Sequence, residues 1–583
     1  MKISAGVVSH MAITVNGVEL PKTILPNLLD VVVEQHAYLP AIFTLRFRDP
    51  GLQLLDEGPF AFLAPVEIAG KDQNNKLVTL ISGEITAIEP EFNAGMSAEL
   101  VVYGSDLTQR LYREIKSTTY LNVKDSDLAT QFAQTAGLAA EVEATKTVYD
   151  HLYQHNQSDL HFLMQRAWRI GYECYVANGK LIFRRPKPGA AQVTLTWGDD
   201  LLSFRPRIAL AEQVEEVLVK GWDVQKKSAL IGRADQGIFY PNIGDQTQRD
   251  AQQGGKLVIV DQPVVSQSEA EILAMARFNE LSGAYIEAEG EVYRRPELCA
   301  GCVIKLKALG KRFSGDYWIT SAIHTYTSSG FRTRFAVRGS RTGLLTEQLN
   351  GRSHLDRWPG VAPAIVTNTD DPKRWGRVKV KYPWLSDEDE SDWARVVSAG
   401  GGPEAGFCLT PAIDDEVLVA FVHGDFGQPV VVGGLWNGKD ALAPPTATAP
   451  EGEKPLVRTW HSRTGHAITM YDNADNKVVI QTKSGHAVTL DDAQRRISLI
   501  TAGNLAITLA DEGKEIEIKA AGGKVTVKAD NEVQVEATGN LRLKAGGNLQ
   551  LEATGNLEMK AVGGATLQGA ARVAIQAPQI SLG

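Results

Sequence analysis

The stretch "ATGNLRLKAGGNLQLEATGNLEMKAVGG", residues 537–564, repeats every eight residues, with Gly539, Gly547, Gly555 and Gly563 in register. Each octad holds two apolar residues two positions apart: Val525 and Val527, Val533 and Val535, Leu541 and Leu543, Leu549 and Leu551, Leu557 and Met559. Their neighbours Arg542, Gln550 and Glu558 are polar. A two-residue period sends one set of side chains inward and the other outward, as on a β-strand. Gly-Asn or its like then turns the corner, which calls for a positive φ. Eight residues are too few to close a turn of β-solenoid around a core, whereas three octads, about 24 residues, suffice. The three come either from one chain, as a monomeric β-helix, or from three chains wound together into a three-sided prism. An all-alike octad favours the trimer, because symmetry supplies three equivalent faces from one repeat. With strands stacked roughly 4.8 Å apart, about fifteen octads make a stiff rod on the order of 70 Å long. Upstream the pattern loosens: "RTGHAITMYDN" and "KSGHAVTLDDA" are related at a spacing of 20 residues and read as degenerate copies of the same plan.

The rod is the last part of a chain of 583 residues, long enough for several domains. Composition is that of an ordinary soluble protein, and the net charge of −9 argues against nucleic acid as a partner. Four cysteines, Cys174, Cys299, Cys302 and Cys408, are too few to staple such a chain and fit assembly in a reducing compartment. The start, "MKISAGVVSH", lacks the apolar core of a signal peptide, and no 18 apolar residues run together. Assembly is therefore expected in the cytoplasm, with exit by a route that bypasses the usual secretion signal.

Residues 1–115 read mostly as strands, "EITAIEP" and "SAELVVYG" among them. The period then changes. "SDLATQFAQTAGL" reads as a helix capped by Asp125 or Ser126 and closed by Gly137. "SDLHFLMQRAWRIGY" repeats the plan, with Ser158 as cap, an apolar face of Leu160, Leu163, Met164 and Ala167, and Gly171 at the end. Asn178-Gly179 marks a hairpin. Residues 190–345 return to strands, with one helix whose start, Ser268 to Glu271, has capping-box spacing. After a break at 350–363, "GRVKVKYPWL", "DWARVVSA", "DEVLVAFVHGD" and "QPVVVGGLW" form a compact all-β set with the turn spacing of a small barrel. "ALAPPTATAPEGEKP" (441–455) is an extended, semi-rigid linker.

The barrel segment 377–438 resembles the OB-fold domain of VgrG-like spike proteins of contractile injection systems and phage tails. The matching pieces are Gly376-Arg377-Val378, Pro383-Trp384, Trp393-Ala394-Arg395-Val396, Pro411, Glu416-Val417-Leu418-Val419, Phe421, Gly424-Asp425, Pro429 and Gly433 to Asn437, Trp436 included. "SDLHFLMQRAWRIGYECYVANGKLIF" and "GEITAIEP" resemble the hub part of the same family. The resemblance implies a mainly β chain in seven parts. These are a first hub β-barrel unit (1–115), a small α/β insert (116–189), a second hub β-barrel unit (190–349), a linker (350–363), an OB-fold (364–440), a linker (441–460) and a triple-stranded β-helix needle (461–583). It further implies a homotrimer whose hub closes an inner tube, beside baseplate proteins, and whose prism is driven outward through a target membrane, with effectors as potential cargo. Such a spike is part of a contractile particle (type VI secretion, an extracellular particle or a phage tail) and leaves the cell on firing.

The family's "P-x-x-G-D-E-V" is here Pro411 to Val417 with Asp414 in the glycine's place, so a different bend is expected at that turn. No lysozyme-like segment is read between barrel and prism, and a bare spike with no further domain after the prism is expected. Some phage spikes end in a His-x-His pair that holds iron; here the last histidine is His486. A blunt trimeric end exposes strand edges, so a small PAAR-type tip protein is expected to cap Gln579, Ile580, Ser581, Leu582 and Gly583.

Five features raise the question of chemistry. His151 and His155, four apart, with His161 nearby, have the spacing of metal ligands on adjacent helical turns, or of a polar approach to the insert. Cys299-Ala-Gly-Cys302 has CxxC spacing but no second ligand pair, and the resemblance implies a strand-entry turn there. "SDEDESD" (386–392) lacks the glycine and spacing of a calcium loop and reads as an exposed connection. His423-Gly-Asp425 has no nucleophile beside it and reads as a turn. Acids and bases alternate along 524–560, which describes a solvated face. A glycan-cleaving tailspike would need paired carboxylates in a cleft fed by loops between repeats; the octads run without insertions. An adhesin would want distal loops or a knob. The expectation is a structural spike with no catalytic residues, cofactor or metal.

Overall fold

The computed structural model describes residues 11–177, 179–186, 191–210, 213–237, 242–243, 255–264, 266–339, 358, 360–385, 388–440 and 456–581. Outside them lie the opening segment, Asn178, Ser386, Asp387, most of the linker 350–363, the first fifteen residues of the linker 441–460, and Leu582 and Gly583 of the expected tip contact. The described chain forms two compact units, 1–440 and 441–583.

An eleven-stranded antiparallel sheet organises the front of the first unit. Its order is Leu201–Ile208, Ile286–Tyr293, Gly330–Val337, Ser321–Thr327, Leu28–His36, Ile42–Arg48, Ser97–Asp106, Leu77–Asn93, Pro65–Lys71, Met11–Val15 and Val18–Glu19. Alternation builds it: Val31 and Val33, then Phe43, Leu45 and Phe47, point one way and are buried. The two hub units expected as separate barrels are stitched together by strand pairing. Ser321 lies opposite His36, and Tyr326 opposite Val31. Each side keeps its own core, yet Tyr326 and Phe331 from the second side pack into the first. Pairing between strands so distant in the chain leaves no local signal, which is why the seam was not expected.

The insert contributes helices Asp125–Thr135 and Asp159–Ile170. Ser158 caps the second, its hydroxyl accepting from the His161 N–H at 3.2 Å, and Gly171 ends it in a left-handed conformation. The first starts differently from expectation. Lys124 is its N-cap, and Asp127 Oδ2 accepts from the Lys124 N–H at 3.2 Å, which leaves Asp125 and Ser126 inside the first turn. The long helix Gln267–Gly283 is capped by Ser266, accepting from the Glu269 N–H at 3.1 Å, two residues before the expected Ser268. It lies against the sheet of Ser228–Ala234, Glu216–Asp223 and Lys256–Ile259. The approach is close: a Cβ on Gly232 would fall 2.1 Å from the Ala270 backbone.

The small barrel is a five-stranded sheet ordered Lys379–Lys381, Val361–Asn368, Glu416–Phe421, Pro429–Gly434, Arg395–Val396. Val366, Val378, Val380, Val417, Val419 and Val431 fill it and are fully buried. Asp414 stands at φ +70°, a backbone that glycine adopts freely, and its N–H donates to Val366 O at 2.9 Å. Aspartate is among the residues that visit this left-handed region most readily.

In the second unit, residues 457–520 are a seven-stranded antiparallel meander: Val457–His461, Ala467–Tyr471, Lys477–Gln481, Ala487–Asp491, Arg496–Ile500, Leu505–Ala510 and Glu515–Ala520. Neighbours in sequence are neighbours in the sheet. This corrects the reading of the segment as loose octads. Its strands are separated by turns of four or five residues, so each strand returns beside its predecessor.

Candidate functional site

The meander has two unlike faces. Cross-strand register puts Trp460, Ile468, Ile480, Val488, Leu499, Ile507 and Ile518 in one row. Met470, Val478, Leu490, Ile497, Leu509 and Ile516 form a second row on the same face, with Arg458 at its start. The opposite face carries the row Thr459, Thr469, Val479, Thr489, Ser498, Thr508 and Glu517, polar at all but one position. Thr469 and Ser498 are buried, while Trp460, Met470, Ile480, Leu490, Leu499 and Ile518 are exposed. A sheet whose continuous apolar side faces outward needs something to cover it.

Beyond Ala520 the octads form no strand with any part of their own chain among the described residues. The chain runs extended and bends once per octad, at 530–531, 538–539, 546–547, 554–555, 562–563 and 570–571. Gly539, Gly547, Gly555 and Gly563 sit at these bends, but none of the four has a positive φ, contrary to expectation. A Cβ on any of them would meet nothing within 4 Å. The expected core residues Leu541, Leu543, Leu549, Leu551, Leu557 and Met559 are all exposed, from 57% for Leu541 to 83% for Met559. Gln579, Ile580 and Ser581 are exposed as well.

In the barrel, Trp384 donates from Nε1 to Pro363 O at 3.0 Å beside the half-exposed Pro363 strand, its ring 5.1 Å from that of Trp358; Pro383 precedes it, exposed. Trp393 lies under two cations, with Arg377 and Lys379 each 5.7 Å from its ring centre. Arg395 opens a short strand parallel to Pro429–Gly434. Glu416 accepts from Asn437 Nδ2 at 2.7 Å, and Trp436 beside it is exposed. Gly424 and Asp425 form a turn: Gly424 has φ +77°, and Asp425 Oδ1 accepts from the Gly427 N–H at 2.9 Å. Burial raises the Asp425 carboxyl above its ordinary value. Sequence reading missed Asp371, which gathers Arg377 Nη2 at 2.6 Å and the Trp375 and Lys373 N–H groups at 2.7 and 3.0 Å. The Arg377 guanidinium first, then those amides, holds it well below the usual carboxylate range.

His151 and His155 are not on a helix. They lie two strand steps apart on Tyr149–Ser158, with Tyr153 between them on the same face. This face joins the insert to the barrel. His155 stacks on Phe426 at 5.3 Å, Tyr153 approaches Phe426 at 4.6 Å, and His151 Nε2 bonds Glu390 O at 3.1 Å. Burial lowers the His151 pKa. His161 stands apart, bonding Gln165 on its own helix. The alternation His-x-Tyr-x-His was the available signal for a strand. The described part of "SDEDESD" docks rather than hanging free: Asp389 accepts from Thr119 at 2.7 Å, and Glu390 pairs with Lys379 at 3.3 Å. His423 opens the turn at φ +53°. Cys299 and Cys302 are bonded to each other rather than reduced, closing a four-residue turn with Cα atoms 5.5 Å apart. Cys174 is buried and Cys408 exposed, both free. Among the described residues no three His, Cys, Asp or Glu cluster as metal ligands, and no helix is long and apolar enough to cross a membrane.

Two family models match. That of the type VI secretion system/phage-baseplate injector OB domain covers residues 362–436, and that of the Alg8 N-terminal domain covers residues 62–328. The chain is 22% identical over 436 residues to the type VI secretion system spike protein VgrG5 of Pseudomonas aeruginosa, a match covering 67% of this chain and 52% of that one. It is 30% identical over 112 residues to the spike protein VgrG3 of Vibrio cholerae, covering 18% of this chain and 11% of the relative. The chain thus spans about half the length of VgrG5 and far less of VgrG3. Among solved structures, an E. coli component of the type VI secretion system, similar to T4 bacteriophage tail proteins, aligns with TM-score 0.46 and 12% identity over 73% of this chain and 99% of its own. The lidded Francisella PdpA-VgrG complex aligns with TM-score 0.49 and 10% identity, over 88% and 79%. The barrel family and the relatives in sequence support a VgrG-like spike.

Proposed function

We propose that this VgrG-like chain is one third of a structural spike, in which three copies wind their octads into one prism and close their apolar meander faces around its axis. One observation carries the reading: among the described residues, octads with a strict two-residue period pair their backbone with no other part of their own chain and leave their apolar side chains exposed. Burying a Leu or Val side chain contributes roughly 1.5–3 kcal/mol, so an extended chain with two such residues per octad is stabilised by pairing with other chains. Three equivalent edges supply that pairing by symmetry.

In this reading the hub docks on the inner tube beside baseplate proteins, the exposed end near Gln579–Ser581 receives a PAAR-type tip protein, and effectors travel with the spike. The particle forms in the cytoplasm and is ejected through the target membrane on contraction. The role is mechanical and needs no catalysis. The continuous hub sheet supports it, because strands paired across both hub units spread a thrust over two cores. Light scattering on the purified full chain tests the assembly, with three chain masses expected and a stable single chain the contrary result. A pull-down with tube protein, using a chain that ends near Gly351, tests the docking: capture is expected, and its failure removes the tube from the proposal.

A further inference from the structure

The turns of the meander sort by charge along the two edges of its sheet. Because each strand returns beside its predecessor, turns 462–466, 482–486 and 501–504 lie on one edge, and 472–476, 492–495 and 511–514 lie on the other. The first edge carries Arg463 and Lys483, with Lys519 near the end of the last strand, and its turns hold no Asp or Glu. The second carries Asp472, Asp475, Asp492, Asp511 and Glu512 against Arg495 and Lys514. Within the chain Arg458 pairs with Asp472, and Lys477 with Asp475 at 3.3 Å. Lys483 and Lys519 on the basic edge, and Asp492, Asp511 and Glu512 on the acidic one, are exposed and make no ion pair among the described residues.

Hydrogen bonds already join the turns along each edge. His466 Nδ1 accepts from the Lys483 N–H at 3.3 Å, and His486 Nδ1 from the Ala502 N–H at 3.2 Å. On the acidic edge the Asp492 N–H donates to Asn476 O at 3.1 Å, and the Asp511 N–H to Arg495 O at 3.0 Å. Side-chain charge is therefore what each edge offers to a neighbour. Strands of five or six residues set the edges roughly 15–20 Å apart, farther than the roughly 8 Å over which exposed charges act at physiological salt. One sheet's edges thus do not neutralise each other. Copies standing around a common axis, apolar faces inward, bring the basic edge of one beside the acidic edge of the next. Such a head-to-tail contact is satisfied at every junction once the ring closes.

We infer that the two edges are complementary docking surfaces for a second copy of this chain, the basic edge of one copy against the acidic edge of its neighbour. This rests on the assembly proposed above and adds which surfaces meet. Light scattering of the full chain through a urea titration at low salt reads the midpoint of dissociation. Lys483→Glu with Lys519→Glu, or Asp492→Lys with Asp511→Lys, sets like charges face to face at every junction and should lower that midpoint. All four substitutions together restore opposite charges between copies and should bring it back. The two sets lie too far apart in one sheet to rescue each other, so recovery reports contact between copies. In about 1 M NaCl, where charges are screened within about 3 Å, the one-edge variants should approach the unmodified chain. A three-chain mass with unshifted midpoints overturns the edge contact and leaves the assembly standing. Lowered midpoints without recovery in the fourfold variant assign the edges to a different partner and overturn it as well. A single-chain mass for the unmodified protein overturns the assembly itself, and the edge contact with it.

Discussion

The meander 457–520 and the octads beyond it are written in the same two-residue alphabet, yet one pairs with itself and the other does not. In the meander strands begin at Val457, Ala467, Lys477, Ala487, Arg496, Leu505 and Glu515, nine or ten residues apart. That spacing holds a five- or six-residue strand and a turn long enough to reverse it. Its turns carry left-handed residues such as Gly465, Asn476, Gly485, Arg495, Asn504 and Lys514. The octads lack those extra residues and those φ values, so the chain bends once per octad without turning back. One or two residues per repeat therefore decide whether the backbone is satisfied within the chain or left for another. In the meander only a face remains uncovered; in the octads the whole backbone does.

Breaking the octads should have the largest effect. Leu549→Asp with Leu551→Asp places two carboxylates in each of three chains where an apolar core is proposed, and light scattering should show the assembly lost. The same charge logic applied to the meander sharpens the contrast. Leu490→Lys should loosen the assembly while leaving the antiparallel hydrogen bonds within the chain, so circular dichroism should retain strand signal as the mass falls. If both variants behave alike, the distinction between the two regions fails.

The first unit extends the comparison, since its barrel is satisfied within one chain. Phe426→Ala opens the junction where Tyr153 and His155 pack, and should lower the unfolding free energy of this unit by about 3 kcal/mol, read by denaturant titration. The smallest effect is that of pH. Asp371 has a folded pKa below its unfolded value of about 3.9, so its stabilisation is complete above that value and is lost as pH falls below it. Melting of the barrel should decline below about pH 4, and Asp371→Asn should flatten that decline while lowering stability at neutral pH. An unchanged profile would remove Asp371 from the account.

How much was legible follows from range. The octad period, the Ser158 cap and the hairpin that sets Ala177 opposite Lys180 are local patterns, and reading them required only spacing. Spacing also misled. His151 and His155, four apart, suit a helix face as well as alternate positions of a strand, and Tyr153 between them was the missed arbiter. The meander was read as octads because turns of four or five residues preserve the apparent alternation. The seam between Leu28–His36 and Ser321–Thr327 depends on residues far apart in the chain and carries no local mark.

Hydrogen exchange along residues 525–575 of the full-length protein tests the central claim most directly, because an extended chain without partners exchanges at once while a backbone paired between chains does not. Strong protection is expected throughout the octads, disappearing when the assembly is dissociated. Free exchange in the intact protein would contradict the proposed prism.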